Sequence, residues 1–250
     1  MGNDKFNKSK YMTTQIGKVN EDFFLRADEL LRQKSYKEAA SNYLNAILIS
    51  REDAKSYFGL GVCYKNTKNY TKAIKYFEKA TELDDNYFEA FYELGICHLL
   101  QGIPCGAIKN FVQAIQLKPD STDAILQLGI AHETCEEYDM ALMIYQKLIE
   151  NSPEFIKAYE HKSALLMKVG KYKEASLVLK EQIKHNPKDT KAFAGIGVCF
   201  DKLGKKSDAQ RYYRKFLQAN PMSSQAQFIK SRLEKLKSVM GSKSTKLSIV

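Results

Sequence analysis

Tryptophan is missing from the 250 residues, and proline is scarce, at five. So little proline leaves long stretches free to be helical. Cysteine is limited to five, an odd number, and no two stand in a CxxC pair. That argues against a disulfide framework. It fits reduced thiols in a cytosol-like compartment, so a cytoplasmic location is expected. No run of about 18 apolar residues occurs, so no transmembrane helix is expected. No glycine-rich phosphate loop, GxSxG, HExxH or kinase signature is present. The chain is therefore expected to be no enzyme, with no catalytic residue, metal or cofactor.

Basic charge is plentiful, with a net charge of +10. Its distribution matters more than its total. Residues 122–155 carry −6, whereas residues 156–250 carry +14 and residues 1–19 carry +3. Cations at both ends with an acidic middle describe polarity along a rod, not one basic face.

What dominates the chain is a repeat. Tyr57, Leu60, Gly61, Tyr64, Ala73, Phe77 and Ala80 recur 34 residues later as Phe91, Leu94, Gly95, His98, Ala107, Phe111 and Ala114. A further step gives Ile125, Leu128, Gly129, His132, Ala141, Tyr145 and Leu148. One step back gives Phe23, Ala27, Leu30, Ala39, Tyr43 and Ala46. Two steps on give Tyr159, Leu166, Ala175 and Leu179, then Phe193, Ile196, Gly197, Phe200, Ala209, Tyr213 and Phe216. Pro119, Pro153, Pro187 and Pro221 keep the same step. Six repeats thus run without insertion over 20–53, 54–87, 88–121, 122–155, 156–189 and 190–223. Residues 224–240 read as a polar-backed capping helix, and 1–19 and 241–250 as disordered tails.

The slots have a physical logic. Tyr57, Leu60, Gly61 and Tyr64 fall at i, i+3, i+4 and i+7, one face of a first helix. Ala73, Phe77 and Ala80 line a second helix. Small residues let the two approach, and aromatics fill the space beside them. One helix pair cannot bury its apolar face, so repeats must stack. This pattern resembles the tetratricopeptide repeat (TPR). The resemblance covers residues 20–223 and implies an all-α, right-handed solenoid, a superhelix of antiparallel helix pairs. It also implies a protein-binding scaffold or adaptor whose first helices line a concave groove.

The residues add a site expectation of their own. Phe58/Val62, Tyr92/Ile96 and Leu126/Ile130 are i, i+4 apolar pairs lying off the packing face of the first helices. Leu99 and Leu100 extend the strip. Glu89, Glu93, Asp123 and Glu133 rim it, with Gln127 and His161 along its course. Such a strip suits a peptide or protein segment with apolar anchors and basic flanks. The competing reading is that these side chains fill contacts between repeats.

The carboxylate clamp for acidic chaperone tails, as the resemblance describes it, needs Lys, Asn, Asn, Lys and Arg. The matching places hold Phe24, Asp28, Gly59, Glu89 and Glu93, so those tails are not expected partners. The asparagine ladder of the sugar-transferase arrays is also missing, since Leu25, Gly59, Glu93, Gln127, His161 and Gly195 stand there. Cys63, Cys97 and Cys199 keep the repeat phase and read as small core residues, while Cys105 and Cys135 break it and read as incidental. His98 and His132 occupy an aromatic slot. In the fifth repeat Lys162 and Ser163 replace the Leu-Gly pair, which suggests a soft point. Two alternatives to a peptide groove remain. One is a nucleic-acid-associated scaffold using Arg211, Arg214, Lys215, Lys230 and Arg232, with weak, salt-sensitive affinity. The other is a self-assembling homo-oligomeric array.

Overall fold

The computed structural model describes residues 2–187 and 189–244, with side chains described from 17 to 236 apart from 188. Thirteen helices and no strand occur among the described residues. They are α1 (Gly2–Arg32), α2 (Tyr36–Ile49), α3 (Ala54–Asn66), α4 (Tyr70–Leu83), α5 (Phe88–Leu100), α6 (Pro104–Leu117) and α7 (Thr122–Thr134). The others are α8 (Tyr138–Asn151), α9 (Ile156–Lys168), α10 (Tyr172–His185), α11 (Lys191–Lys202), α12 (Lys206–Ala219) and α13 (Ala226–Ser244). Odd-numbered helices α1 to α11 are the first helices of the six repeats, and even-numbered ones the second. The architecture is an all-α solenoid.

The turn within each repeat has one form. Backbone φ is positive at Lys34, Lys68, Gly102, Glu136, Gly170 and Gly204, every 34th residue. In the second repeat, Asn69 N–H donates to Tyr64 C=O at 2.9 Å and Lys68 N–H to Lys65 C=O at 2.9 Å. That pair of hydrogen bonds closes the helix end with a left-handed residue. Asn69 then caps α4, its side chain accepting from Lys72 N–H at 3.2 Å. The short turn returns the chain antiparallel to itself.

The chain divides into two compact bodies, one up to Cys135 and one from Glu136. In the first, α1, α3, α5 and α7 lie side by side; α1, α3 and α5 each pack on the second helix of their own repeat, and α3, α5 and α7 each pack on the second helix of the repeat before. Tyr43, Phe77 and Phe111 are buried at the second-helix aromatic slot. A Cβ added to Gly61 would stand 2.6 Å from Phe77 Cε1, which explains the glycine beside that ring. In the second body Tyr145 and Tyr213 hold the same slot, fully buried, and Leu179 replaces them in the fifth repeat. The array ends on α13, whose Ala226, Ile229, Leu233 and Leu236 are buried. Arg232 of that helix clasps Asp201 of α11, with Nη2 2.9 Å from Oδ1.

Two boundaries differ from expectation. Residues 2–19 belong to α1 instead of a tail. They contain no proline, and Gly17, the one glycine past the first position of α1, does not stop a helix already nucleated further on. The capping helix begins at Ala226 and continues to Ser244, beyond the expected end at 240. Of the expected C-terminal tail, residues 245–250 lie outside the described residues.

Candidate functional site

In the first body, the expected strip is more heavily used for packing than the sequence suggested. Phe58 on α3 is half-buried, its ring 5.6 Å from Phe77 and 5.0 Å from Tyr87. Val62 packs on the cluster of Ala73, Phe77, Leu94 and Cys97. Tyr92 on α5 meets Phe111 edge-on at 5.9 Å and stacks on Phe88 at 6.0 Å. Ile96 and Leu99 pack on Ala107, Phe111 and Ala131. Leu126 is only 3% exposed, so its place in the strip is corrected: it is a core residue and offers a partner nothing. Leu100, by contrast, is exposed, and Gln127 and Ile130 are half-buried.

The acidic rim is uneven. Glu89 and Asp123 are exposed and Glu133 is half-buried. Glu93 is not an open acid, because Lys65 Nζ lies 2.6 Å from its Oε2 and ties α3 to α5. The acidity still reaches the strip. The Tyr92 hydroxyl is held above its ordinary pKa first by burial, then by Asp123 and Glu93. His161, on α9 in the second body, is half-buried with its ring 5.8 Å from Tyr145.

The second body holds a concavity of about 580 Å³ that the sequence reading passed over. Glu160, Ser163, Ala164 and Met167 of α9 form one wall. Lys191, Ala194, Gly195 and Val198 of α11 form another, and Phe228 and Ile229 of α13 close the third side. Leu179 and Gln182 of α10 also line it. Its origin lies in the repeat. Ala164 stands where Val62, Ile96 and Ile130 stand in repeats two to four. Ala194 stands where Phe58, Tyr92 and Leu126 stand. Leu179 stands where every other repeat has a buried aromatic. Three slots filled elsewhere are under-filled around one space, and its rim presents Phe228, 64% exposed.

Gln182 brings a buried amide to that wall. It occupies the slot of Ala46, Ala80, Ala114, Leu148 and Phe216, and it is 2% exposed. Its Nε2 donates to Asp189 Oδ2 at 2.6 Å. Its Oε1 has no hydrogen-bond partner. A buried amide oxygen without a donor is unfavourable. The signal for this site was in the sequence: the groove positions needed reading for small residues as well as for large ones.

The other candidates resolve locally. Lys162 Nζ donates to Gln146 Oε1, and burial lowers the lysine's pKa. Ser163 is buried and donates to Glu160 C=O at 3.1 Å. His98 Nδ1 faces the Asn110 amide at 3.2 Å. Among the basic residues, Arg211 pairs with Asp208 at 3.2 Å, and Lys215 lies over the rings of Phe193 and Tyr212. No group of three or more His, Cys, Asp or Glu side chains suited to a metal occurs among the described residues. Nor is any described helix long and apolar enough to cross a membrane.

Comparison with known proteins places this geometry. Residues 54–87 match the family model of the tetratricopeptide repeat, and residues 122–239 match that of the coatomer epsilon subunit. No curated protein matches the sequence. Among solved structures, YrrB, described as a TPR protein with an unusual peptide-binding site, is 22% identical, with a TM-score of 0.60 over 77% of this chain and 99% of that one. MamA from Desulfovibrio magneticus is 20% identical, with a TM-score of 0.64 over 68% of this chain and 97% of that one. PilF from Pseudomonas aeruginosa is 14% identical, with a TM-score of 0.64 over 87% of this chain and 99% of that one. At these identities the likeness is one of fold. Residues 54–87 thus match a tetratricopeptide repeat, and the chain shares the all-α solenoid fold of the tetratricopeptide-repeat proteins it resembles.

Proposed function

We propose that the protein is a non-catalytic interaction scaffold that binds an extended or helical protein segment along its first helices, with the principal anchor seated between α9, α11 and α13. The concavity of about 580 Å³ carries this reading. It falls within the size range of ligand pockets, and it is mostly apolar with a few polar groups at fixed places. An apolar side chain would fill the under-packed slots, and a donor beside it would satisfy Gln182 Oε1. Phe228 would cover the anchor from the α13 side. In the first body, Phe58, Tyr92, Ile96 and Leu100, with Glu89 and Asp123, form a second strip suited to apolar residues with basic flanks. The peptide-binding site named for YrrB supports this mode, and the likeness of 122–239 to a subunit of a larger assembly supports a protein partner.

The nucleic-acid reading is weaker. Lys215 already lies over its neighbouring aromatic rings, and Arg211 has an acid beside it. Those rings are not open platforms for bases.

The test begins with peptides selected against the full chain from a random library and titrated calorimetrically. Ala194→Tyr restores the bulk that Tyr92 provides in the third repeat. One buried apolar anchor is worth roughly 1.5–3 kcal/mol, so this variant is expected to bind about ten- to a hundred-fold more weakly. Circular dichroism checks that helicity is kept. Wild-type affinity in the refilled variant, with hydrogen-exchange protection on α5 instead of α9 and α11, transfers the seat to the first body. Salt-sensitive binding to random RNA alone would favour the nucleic-acid reading.

A further inference from the structure

The five cysteines fall into two groups. Cys63, Cys97 and Cys199 are 1%, 0% and 0% exposed, and burial pushes their thiols up to about 12, 12 and 11. Thiols that stay protonated and covered react poorly. Cys105 is exposed and Cys135 is half-buried. Cys105 lies in the first turn of α6, and Cys135 caps the C-terminal end of α7. Their Sγ atoms are 4.0 Å apart.

This meeting follows from the repeat geometry and is not an accident of two side chains. One repeat earlier, Thr71 and Gln101 hold the same two positions, and Gln101 Nε2 donates to Thr71 Oγ1 at 2.8 Å. At two successive junctions, therefore, the start of a second helix touches the end of the next first helix. At the junction of the third and fourth repeats, both places are cysteine.

We propose that Cys105 and Cys135 form a dithiol modification site, oxidised by hydroperoxides to a disulfide that pins α6 to α7. The Cys105 sulfur, as thiolate, attacks a peroxide oxygen. The O–O bond breaks, hydroxide leaves and takes up the proton the Cys105 thiol gave up to become water, and Cys105 becomes a sulfenic acid. The Cys135 sulfur then attacks the Cys105 sulfur. The S–S bond forms, the S–O bond breaks, and a second water leaves. Two thiols have given up two electrons and two protons to one hydrogen peroxide. The sulfurs must close from 4.0 Å to about 2.05 Å, a change that rotation of the exposed Cys105 side chain can supply. The link holds the end of α7, which carries Ile130 and Glu133, against α6, and fixes the packing of two successive repeats. Reduction by a dithiol reverses it.

The experiment uses the full chain. It is exposed to hydrogen peroxide near stoichiometry, unfolded, alkylated, digested and analysed by mass spectrometry without reduction. The expected product is one cross-linked peptide pair joining Cys105 to Cys135, lighter by two hydrogens than the sum of its parts. Cys63, Cys97 and Cys199 serve as internal controls and should be recovered alkylated. Dithiothreitol should abolish the cross-link, as should Cys105→Ser or Cys135→Ser. The proposal fails if both cysteines are recovered alkylated after peroxide. It fails equally if Cys105 proceeds to sulfinic acid, or links two chains, with no bond to Cys135.

Discussion

Gly59 and Gly195 occupy the same position of the repeat, four repeats apart, yet substitution by alanine should act on them with opposite sign. A Cβ built on Gly59 stands 2.3, 2.6 and 2.7 Å from three atoms of the Tyr43 ring. That ring is 1% exposed, and its hydroxyl bonds to Asp28, so it has no room to retreat. Reaching ordinary van der Waals separation requires a shift of about 1 Å, and such over-packing costs roughly 1–3 kcal/mol. Alanine's better helix propensity returns about 1 kcal/mol. The net expectation is a loss of up to about 2 kcal/mol. At Gly195 the closest atom is Leu179 Cδ1 at 2.9 Å, and the next two lie at 3.5 and 3.8 Å. A leucine methyl can turn into the adjoining concavity. The propensity gain then prevails, and Gly195→Ala should stabilise by about 0.5–1 kcal/mol. Urea unfolding followed by helical ellipticity measures both, with local hydrogen exchange assigning the effect to α3 or α11. A double-mutant cycle sharpens the test. In a Tyr43→Leu background, which imitates the fifth repeat, the cost of Gly59→Ala should largely vanish. Equal effects at the two glycines, or no coupling to Tyr43, would refute the claim that the aromatic slot sets the space available.

Two further outcomes are expected. Lys162→Leu restores the apolar slot of the fifth repeat and should stabilise the fold at neutral pH by about 1 kcal/mol. Burial lowers the lysine's pKa in the folded state, so its cost is full below that pKa. The cost is relieved as pH rises toward the unfolded value near 10.5, where the advantage of leucine should shrink. Wild-type hydrogen-exchange protection over 156–189 equal to that over 88–121 would remove the soft point itself. Arg232→Ala strips a two-pronged partner from Asp201, a side chain only 9% exposed, leaving it the Tyr213 hydroxyl at 3.3 Å. Because Arg232 is itself partly exposed, the loss should be moderate, about 1–2 kcal/mol, with early exchange confined to α13. A melting curve unchanged from wild type would show that apolar contacts alone hold the cap.

Much of the fold is legible in the sequence because each packing slot is sampled six times. A single Gly or Ala says little, but Ala39, Ala73, Ala107, Ala141, Ala175 and Ala209, all buried, leave one reading. The capping helix follows from the same face pattern carried past Ser223. The start of α1 was missed because the boundary was inferred from where the repeat signal stops. A helix needs no packed face to continue, only the absence of a breaker. Leu126 was misplaced for a related reason: an apolar residue off the main packing face can serve the partner or the neighbouring repeat, and only geometry decides. The cysteine pair was hidden by its spacing. Thirty residues is one repeat less one turn, and that relation becomes visible only when second and first helices are set side by side.

The concavity shows why the candidate site was harder to read than the fold. Stacking demands mass at defined places, and mass is what periodicity reveals. A binding seat demands missing mass, and one small residue has many bland explanations. Ala164, Ala194, Gly195 and Leu179 are each ordinary helix residues. Their meaning comes from convergence, since α9, α10 and α11 all under-fill the same space while Gln182 brings an unpartnered oxygen to its wall. Random drift would scatter under-filled slots along the array and would rarely add a buried amide beside them. Stability gives no reason to keep the combination, because a void and an unsatisfied acceptor both cost free energy. A partner that fills the one and hydrogen-bonds the other removes both costs at once, and that is the physical ground for placing the anchor there and not along the better-packed strip of Phe58 and Tyr92.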